Sequence, residues 1–367
     1  MAVQYRKLPR GEEMLSTIGL GTSFMHLLSA EQVAELINVA LDGGINVIDF
    51  LSHRGKAIEN MAAVLRERGK DVFLQQHFGV HFPDDQYTKL YDLDAIKRTI
   101  ETDLKLLDRD YINAALFSNI DNEEEYGRMT ADGGIWDYMQ ELRKAGVIRH
   151  FGFASHDIDM CNRLLDIGGF DLFMLSQNAA ADFSPEGGKL SFDPKRQQLF
   201  QRCQKEGVGI TCMKTFFGGK LLDEKMSPFG VRLSPWQCIQ YNLDRPAILS
   251  CLCGVHNVDQ VRELLRFYEA SEAERDYSVI GSLEMDNITD ACIYCNHCQP
   301  CPAGIDIAAV NMYKDLAQIG DTDAIDHYRG LTAHAEDCIG CRACEARCPF
   351  HLSPFEKIQQ AKEFFKY

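Results

Sequence analysis

Residues 29–50 read SAEQVAELINVALDGGINVIDF, and the fold turns on how this stretch is read. Ser29-x-x-Gln32 has the form of a capping box, in which two side chains satisfy backbone N–H groups that the start of a helix leaves open. Val33, Leu36, Ile37, Ala40 and Leu41 then recur at the spacing of one helical face. After Gly43-Gly44, the run Asn46 to Phe50 is short, apolar and strand-like.

The same helix-then-strand alternation extends in both directions. Strands are expected at Leu15 to Gly21, Asn46 to Phe50, Val72 to His77, Tyr111 to Phe117, His150 to Ala154, Leu172 to Ser176, Val208 to Met213 and Ala247 to Cys251. The last helix repeats the first, with Asn257 and Gln260 ahead of Val261, Leu264 and Leu265. Eight short apolar strands, each followed by a helix, predict an α/β fold, a (β/α)8 TIM barrel over residues 1–280, with its chemistry on the loops that follow the strands. A doubly wound open sheet is the alternative, but no Gly-x-Gly-x-x-Gly follows the first strand.

Beyond Ser271 an acidic stretch leads into a cysteine-rich region, expected to be a second, mainly helical domain over 281–367 with helices at Ile305 to Ile319 and Pro354 to Phe365. It contains Cys292-x2-Cys295-x2-Cys298-x2-Cys301-Pro302 and Cys338-x2-Cys341-x2-Cys344-x3-Cys348-Pro349. The second run has the bacterial ferredoxin spacing, in which three thiolates hold one 4Fe-4S cube and the fourth reaches the other. That rule assigns Cys292, Cys295, Cys298 and Cys348 to one cluster, and Cys301, Cys338, Cys341 and Cys344 to a second. The insertion between the runs places Ile305, Ala309, Met312, Leu316 and Ile319 on one helical face, which favours a helical ferredoxin-like module. A pair of four-cysteine zinc sites is the other chemistry that Cys-x2-Cys spacing allows.

Of 367 residues, 46% are hydrophobic and 25% charged, a composition that supports a sizeable core. No apolar run approaches the ~20 residues of a membrane span, and the N-terminus lacks the apolar stretch of a secretory signal, so a cytoplasmic protein is expected. The net charge of -16 disfavours nucleic acid and anionic membranes as partners and suits a basic redox partner. Fourteen cysteines without a secretion signal point to metal ligation or redox chemistry, not to a disulfide framework.

Gly19-Leu-Gly-Thr22, Gly44-x-Asn46-x2-Asp49, GVIRHFGFASHD at 146–157, and Met213-Lys214 followed by Gly218-Gly-Lys-Leu221 together resemble the aldo-keto reductases over residues 3 to 270. With the cysteine region included, the chain resembles the subgroup of that family carrying a C-terminal 4Fe-4S module. The resemblance implies a catalytic Asp, Tyr, Lys and His, of which only the first is kept, as Asp49. Arg54 stands where the Tyr falls, His77 where the Lys falls, and Ser118 near the position of the His. His77 or His53 is then the candidate proton donor, with Arg54 and Lys214 holding an anionic group. Ser155 and Gln177 match positions that contact the nicotinamide amide, and Met213 replaces the aromatic that stacks on it. After the eighth strand only Arg262 is cationic.

Further polar residues gather at the strand ends: His26, Asn119, His156, Asn178 and His256. Five histidines at one rim also leave room for a mononuclear metal site. The expected function is an iron–sulfur oxidoreductase passing electrons between two 4Fe-4S clusters and a small organic substrate at the barrel mouth. An external carrier such as ferredoxin is the expected partner, and either NAD(P)H or a flavin is a further candidate cofactor. Two alternatives stand beside it: an NAD(P)H-dependent carbonyl reductase with structural or sensing clusters, and a non-catalytic electron-transfer or interaction subunit.

Overall fold

The computed structural model describes residues 3–51, 54–118, 120–186, 189–282, 292, 294–319, 321, 323–349 and 352–366. Eight parallel strands close into a barrel: β1 (Ile18–Gly21), β2 (Val47–Phe50), β3 (Phe73–Phe78), β4 (Ile112–Phe117), β5 (Ile148–Ser155), β6 (Leu172–Ser176), β7 (Gly209–Met213) and β8 (Ile248–Gly254). Each pairs with its sequence neighbours, and β8 pairs with β1. The outer helices include α1 (Ala30–Asp42), α2 (Ala57–Arg68) and α3 (Leu93–Leu107). The Ser29 capping box forms as expected, with Gln32 donating to the Ser29 hydroxyl and Ser29 N–H donating to Gln32 Oε1.

The two-residue period of each strand sorts side chains to opposite faces. Ile48, Phe50, Leu74 and Phe78 join the large core between strands and helices. Val47, Phe73, Ala114, Leu116 and Met174 fill the barrel interior. Asp49, Gln75 and His77 share that inner parity, so the strand period alone aims three polar side chains into the barrel.

The first expected strand is divided. Met14–Ser16 pairs antiparallel with Tyr5–Lys7, and only Ile18–Gly21 enters the barrel. The hairpin brings Leu8 and Leu15 into the interior apolar cluster, where they are fully buried and close the barrel's N-terminal end. The fifth and eighth strands run beyond the expected limits, as Ile148–Ser155 and Ile248–Gly254.

The C-terminal region has three helices, Ile307–Gln318, Asp323–Arg329 and Pro354–Phe365, around a small core of Ile305, Val310, Tyr328, Ala335, Ile358 and Ala361. The first and third were expected, and the short second one was not. Tyr328 and Phe365 stack with ring centroids 3.6 Å apart. Among the described residues no helix is long and apolar enough to cross a membrane.

Six cysteines are buried in the barrel: Cys161, Cys203, Cys212, Cys238, Cys251 and Cys253. Desolvation raises the thiol pKa of Cys203 to about 12 and pushes Cys161, Cys212, Cys238 and Cys253 well up. They are core residues, as expected for Cys212, Cys251 and Cys253.

Candidate functional site

A chain of polar contacts crosses the barrel at the C-terminal ends of its strands. Thr211 Oγ1 donates to Gln75 Oε1 at 2.8 Å, and Gln75 Nε2 donates to Asp49 Oδ1 at 3.0 Å. His77 Nε2 lies 2.7 Å from the same carboxylate oxygen, and His77 Nδ1 lies 2.6 Å from Ser118 Oγ. All five residues are buried. An ionised Asp49 only accepts, so Nε2 carries a proton and Nδ1 faces the hydroxyl. The structure thus brings three expected residues, Asp49, His77 and Ser118, into one carboxylate–imidazole–hydroxyl relay. His53 and Asn119 lie outside the described residues.

The two expected cations stand elsewhere at the rim. Arg54 Nη2 is 3.9 Å from Asp306 Oδ2 of the C-terminal region. Lys214 sits where β7 ends in a sharp turn, with φ at +63°, a conformation that non-glycine residues rarely adopt. Asn178 Nδ2 and the Phe217 N–H both donate to its carbonyl oxygen, at 3.0 and 2.8 Å, which holds the turn. Lys214 acts electrostatically on Cys295 and His297.

Beside the relay lies a second polar group. Asp121 Oδ1 accepts from the His156 N–H at 2.7 Å and from Ser155 Oγ at 3.0 Å, while Oδ2 is 3.0 Å from His156 Nδ1. Burial pushes the Asp121 carboxyl up, but the charge and hydrogen bonds of His156 outweigh it and hold the group well below the usual carboxylate range. The His297 ring, from the C-terminal region, packs against His156 at 4.5 Å and Tyr87 at 4.8 Å between centroids. Burial, then the neighbouring charges of His156 and Lys214, push the His297 pKa well down. Asp121 and His297 were missed in the sequence because each is a single residue in no motif. Only His297's place between two ligand-spaced cysteines could have marked it.

The residues expected at a nicotinamide also make contacts within the fold. Ser155 Oγ also lies 2.7 Å from the Ile120 carbonyl oxygen, an alternative acceptor for its one proton, and Arg196 Nη1 donates to Gln177 Oε1 at 2.8 Å. Met213 packs in the barrel interior, and Arg262 is paired with Asp259 at 2.7 Å. Of the other rim histidines, His26 Nδ1 is 3.0 Å from the Ser23 carbonyl, and His256 stacks on Phe24 at 4.0 Å.

In the C-terminal region the eight ligand-spaced cysteines divide between two cavities. One, of about 400 Å³, is lined by Cys292, Cys295, Cys298 and Cys348, with Asn296, Asn311 and Lys357. The other, of about 380 Å³, is lined by Cys301, Cys338, Cys341 and Cys344, with Ile339, Arg342 and Phe355. These sets are the two groups of four expected from the spacing. Among the described residues no three His, Cys, Asp or Glu side chains converge closely enough to hold a single metal ion.

The region is anchored to the barrel's C-terminal mouth. Lys220, on the loop after β7, pairs with Asp315 at 2.6 Å and lies over the Tyr294 ring, and the Cys301 N–H donates to Gln86 Oε1 at 2.7 Å.

Residues 17–299 match the aldo/keto reductase family. Among curated proteins, the chain is similar to the uncharacterized oxidoreductase YqkF of Bacillus subtilis, 22% identical over 74% of this chain and 92% of that one. A stretch covering 16% of the chain is 36% identical to ferredoxin-3 of Nostoc, over 64% of that protein. Among solved structures, aldo-keto reductase AKR11C1 of Bacillus halodurans in its holo form superposes with a TM-score of 0.61 at 19% identity, covering 77% of this chain and 96% of that one. Glycerol dehydrogenase AKR11B4 of Gluconobacter oxydans does so with a TM-score of 0.60 at 16% identity, covering 76% and 94%. At these identities the likeness concerns the fold.

Proposed function

The chain belongs to the aldo/keto reductase family and is an oxidoreductase, and on that premise we propose that it passes electrons between two 4Fe-4S clusters and a small organic substrate at the barrel mouth. One observation carries the proposal: eight cysteines from two distant runs sort into two fours, each lining its own cavity. Thiolates standing around a void suit a cube, whereas a zinc ion needs four sulfurs meeting at about 2.3 Å from one point. The likeness to a ferredoxin over part of the chain supports the same reading. We take residues 1–280 as the barrel domain and 281–367 as the cluster domain.

When bound, the clusters supply electrons one at a time. The barrel's task is then to bind substrate and supply protons. Asp49, fixed by Gln75, holds the His77 ring and stabilises its protonated form. With both ring nitrogens protonated, His77 Nδ1 donates to Ser118 Oγ, which frees the hydroxyl proton for a substrate oxygen, and the ring proton then replaces it. Lys214 and Arg54 orient an anionic substrate group, Arg54 with its charge partly offset by Asp306. An external low-potential protein such as a ferredoxin delivers the electrons.

Protein purified without oxygen is expected to be brown, to bleach with dithionite, and to contain about eight iron and eight acid-labile sulfide atoms per chain. Colourless protein with no iron would overturn the proposal. A second reading, NAD(P)H-dependent carbonyl reduction, draws on family membership. Saturable quenching of NADPH fluorescence by the protein would favour it.

A further inference from the structure

Resting on the iron–sulfur reading above, we infer that the two cluster sites are unequal and set a direction. Electrons enter at the Cys301, Cys338, Cys341 and Cys344 site and leave toward the substrate from the Cys292, Cys295, Cys298 and Cys348 site.

Position is the first observation. Cys295 packs beside the apolar cluster of Phe217 and Leu221 on the loop after β7, and His297, between two cysteines of the same set, rests on His156 and Tyr87 at the barrel mouth. At the other site Cys341 is exposed, and Ile339, which lines that cavity, is 68% exposed. Electron transfer weakens steeply with distance, so the first site faces the substrate and the second faces an incoming carrier.

The linings differ as well. N–H donors and nearby cations stabilise a reduced cluster, whose charge is more negative, and so raise its potential. The first cavity is lined by the carboxamides of Asn296 and Asn311 and by Lys357. Asn296 Oδ1 is buried and has no hydrogen-bond partner among the described residues. Nearby, Asp315 is flanked by two cations, Lys220 at 2.6 Å and Lys314 at 3.4 Å.

The second cavity is lined by hydrocarbon from Ile305, Ile339, Phe355 and Ile358. Among the described residues its one charged lining residue, Arg342, is engaged by Glu345 at 3.3 Å and Glu356 at 3.0 Å. Local charge therefore favours the electron at the first site.

The step balances simply. A reduced external carrier loses one electron, the second cluster gains it and passes it to the first, and no bond forms or breaks. Protons enter only when the electrons reach the substrate.

Holoprotein prepared without oxygen is titrated potentiometrically with dithionite and followed by electron paramagnetic resonance, for wild type, Asn296→Leu, Lys357→Gln and Arg342→Met. Two reduction steps are expected, with the first site at least tenfold more reduced than the second at a given potential, a separation of about 59 mV for one electron. Asn296→Leu and Lys357→Gln shift the upper step negative and leave the lower one in place, while Arg342→Met moves only the lower. Ile339→Glu slows reduction by a photoreduced bacterial ferredoxin several-fold and leaves the upper step in place. Coincident steps, an upper step that follows Arg342→Met, or an unchanged rate in Ile339→Glu would each overturn the inference while the iron–sulfur reading stands. Absence of iron would overturn the reading beneath it instead. If Asn296→Leu loses iron, Lys357→Gln on the same lining decides the outcome.

Discussion

The relay at the barrel mouth and the cysteine sets of the C-terminal region are both built from buried polar side chains, but they are held in different ways. Asp49, Gln75, His77, Ser118 and Thr211 satisfy one another and sit at the ends of hydrogen-bonded strands. The cysteines line voids, in a region whose own core is a handful of residues under three short helices. The first site is organised before anything binds. On the proposed reading the second is completed by its clusters, and small metal-binding domains draw folding energy from the ligand.

The sharpest way to break that contrast is to remove the clusters. Chelation after oxidation, or paired Cys298→Ser and Cys344→Ser substitutions, should raise amide exchange in Ile307–Gln318 and Pro354–Phe365 by orders of magnitude while the barrel strands stay protected. Equal loss of protection in β2 and β3 would show that the two regions fold as one unit.

Next in size is the relay. Ser118→Ala should slow substrate-dependent reoxidation of the reduced protein by about 100-fold, the scale of one positioned proton donor. Its stability should change by no more than about 1 kcal/mol. An unaltered rate would remove Ser118 from the proton path.

Lys220→Met probes the junction. Removing one partner of a buried pair, here 2.6 Å from Asp315, should cost about 3 kcal/mol in denaturant unfolding. The double variant with Asp315→Leu should recover much of the loss, and failure to do so would mean that the pair is not the lock.

A smaller effect is expected at the opposite end of the barrel. Burial opposes charge on His150, but the neighbouring carboxylates of Asp171 and Glu13, 3.7 and 3.0 Å away, outweigh it and raise its pKa. A raised imidazole stabilises the fold fully below its unfolded value of about 6.5 and loses that contribution as pH rises through the folded value. Amide protection in Met14–Ser16 should therefore weaken across that window in the wild type and not in His150→Phe. Least of all, Arg54→Gln should change stability by less than about 1 kcal/mol, since its contact with Asp306 is long and part-exposed.

The barrel was legible because its signal is repeated: eight apolar runs and a capping box that forms as written. What misled was local. Leu15 and Ser16 read as the start of the first barrel strand because an apolar run does not say which strand it pairs with, and Ser16 pairs back to Tyr5. Asp323–Arg329 was overlooked because seven residues are too few to show a helical period.

Asp49, His77 and Ser118 were each legible as candidates from the family resemblance, but their chain was not, because it depends on Gln75 and Thr211 meeting across the barrel. Nor does any side-chain pattern encode the left-handed backbone at Lys214 that ends β7.

The six barrel cysteines bear on how such a protein is loaded. Thiols hidden among hydrocarbon are shielded from an iron donor, from alkylating reagents and from peroxide alike. A chain with fourteen sulfhydryls therefore offers incoming iron little beyond the eight that belong together, and burial acts as a sorting rule that keeps assembly from going astray.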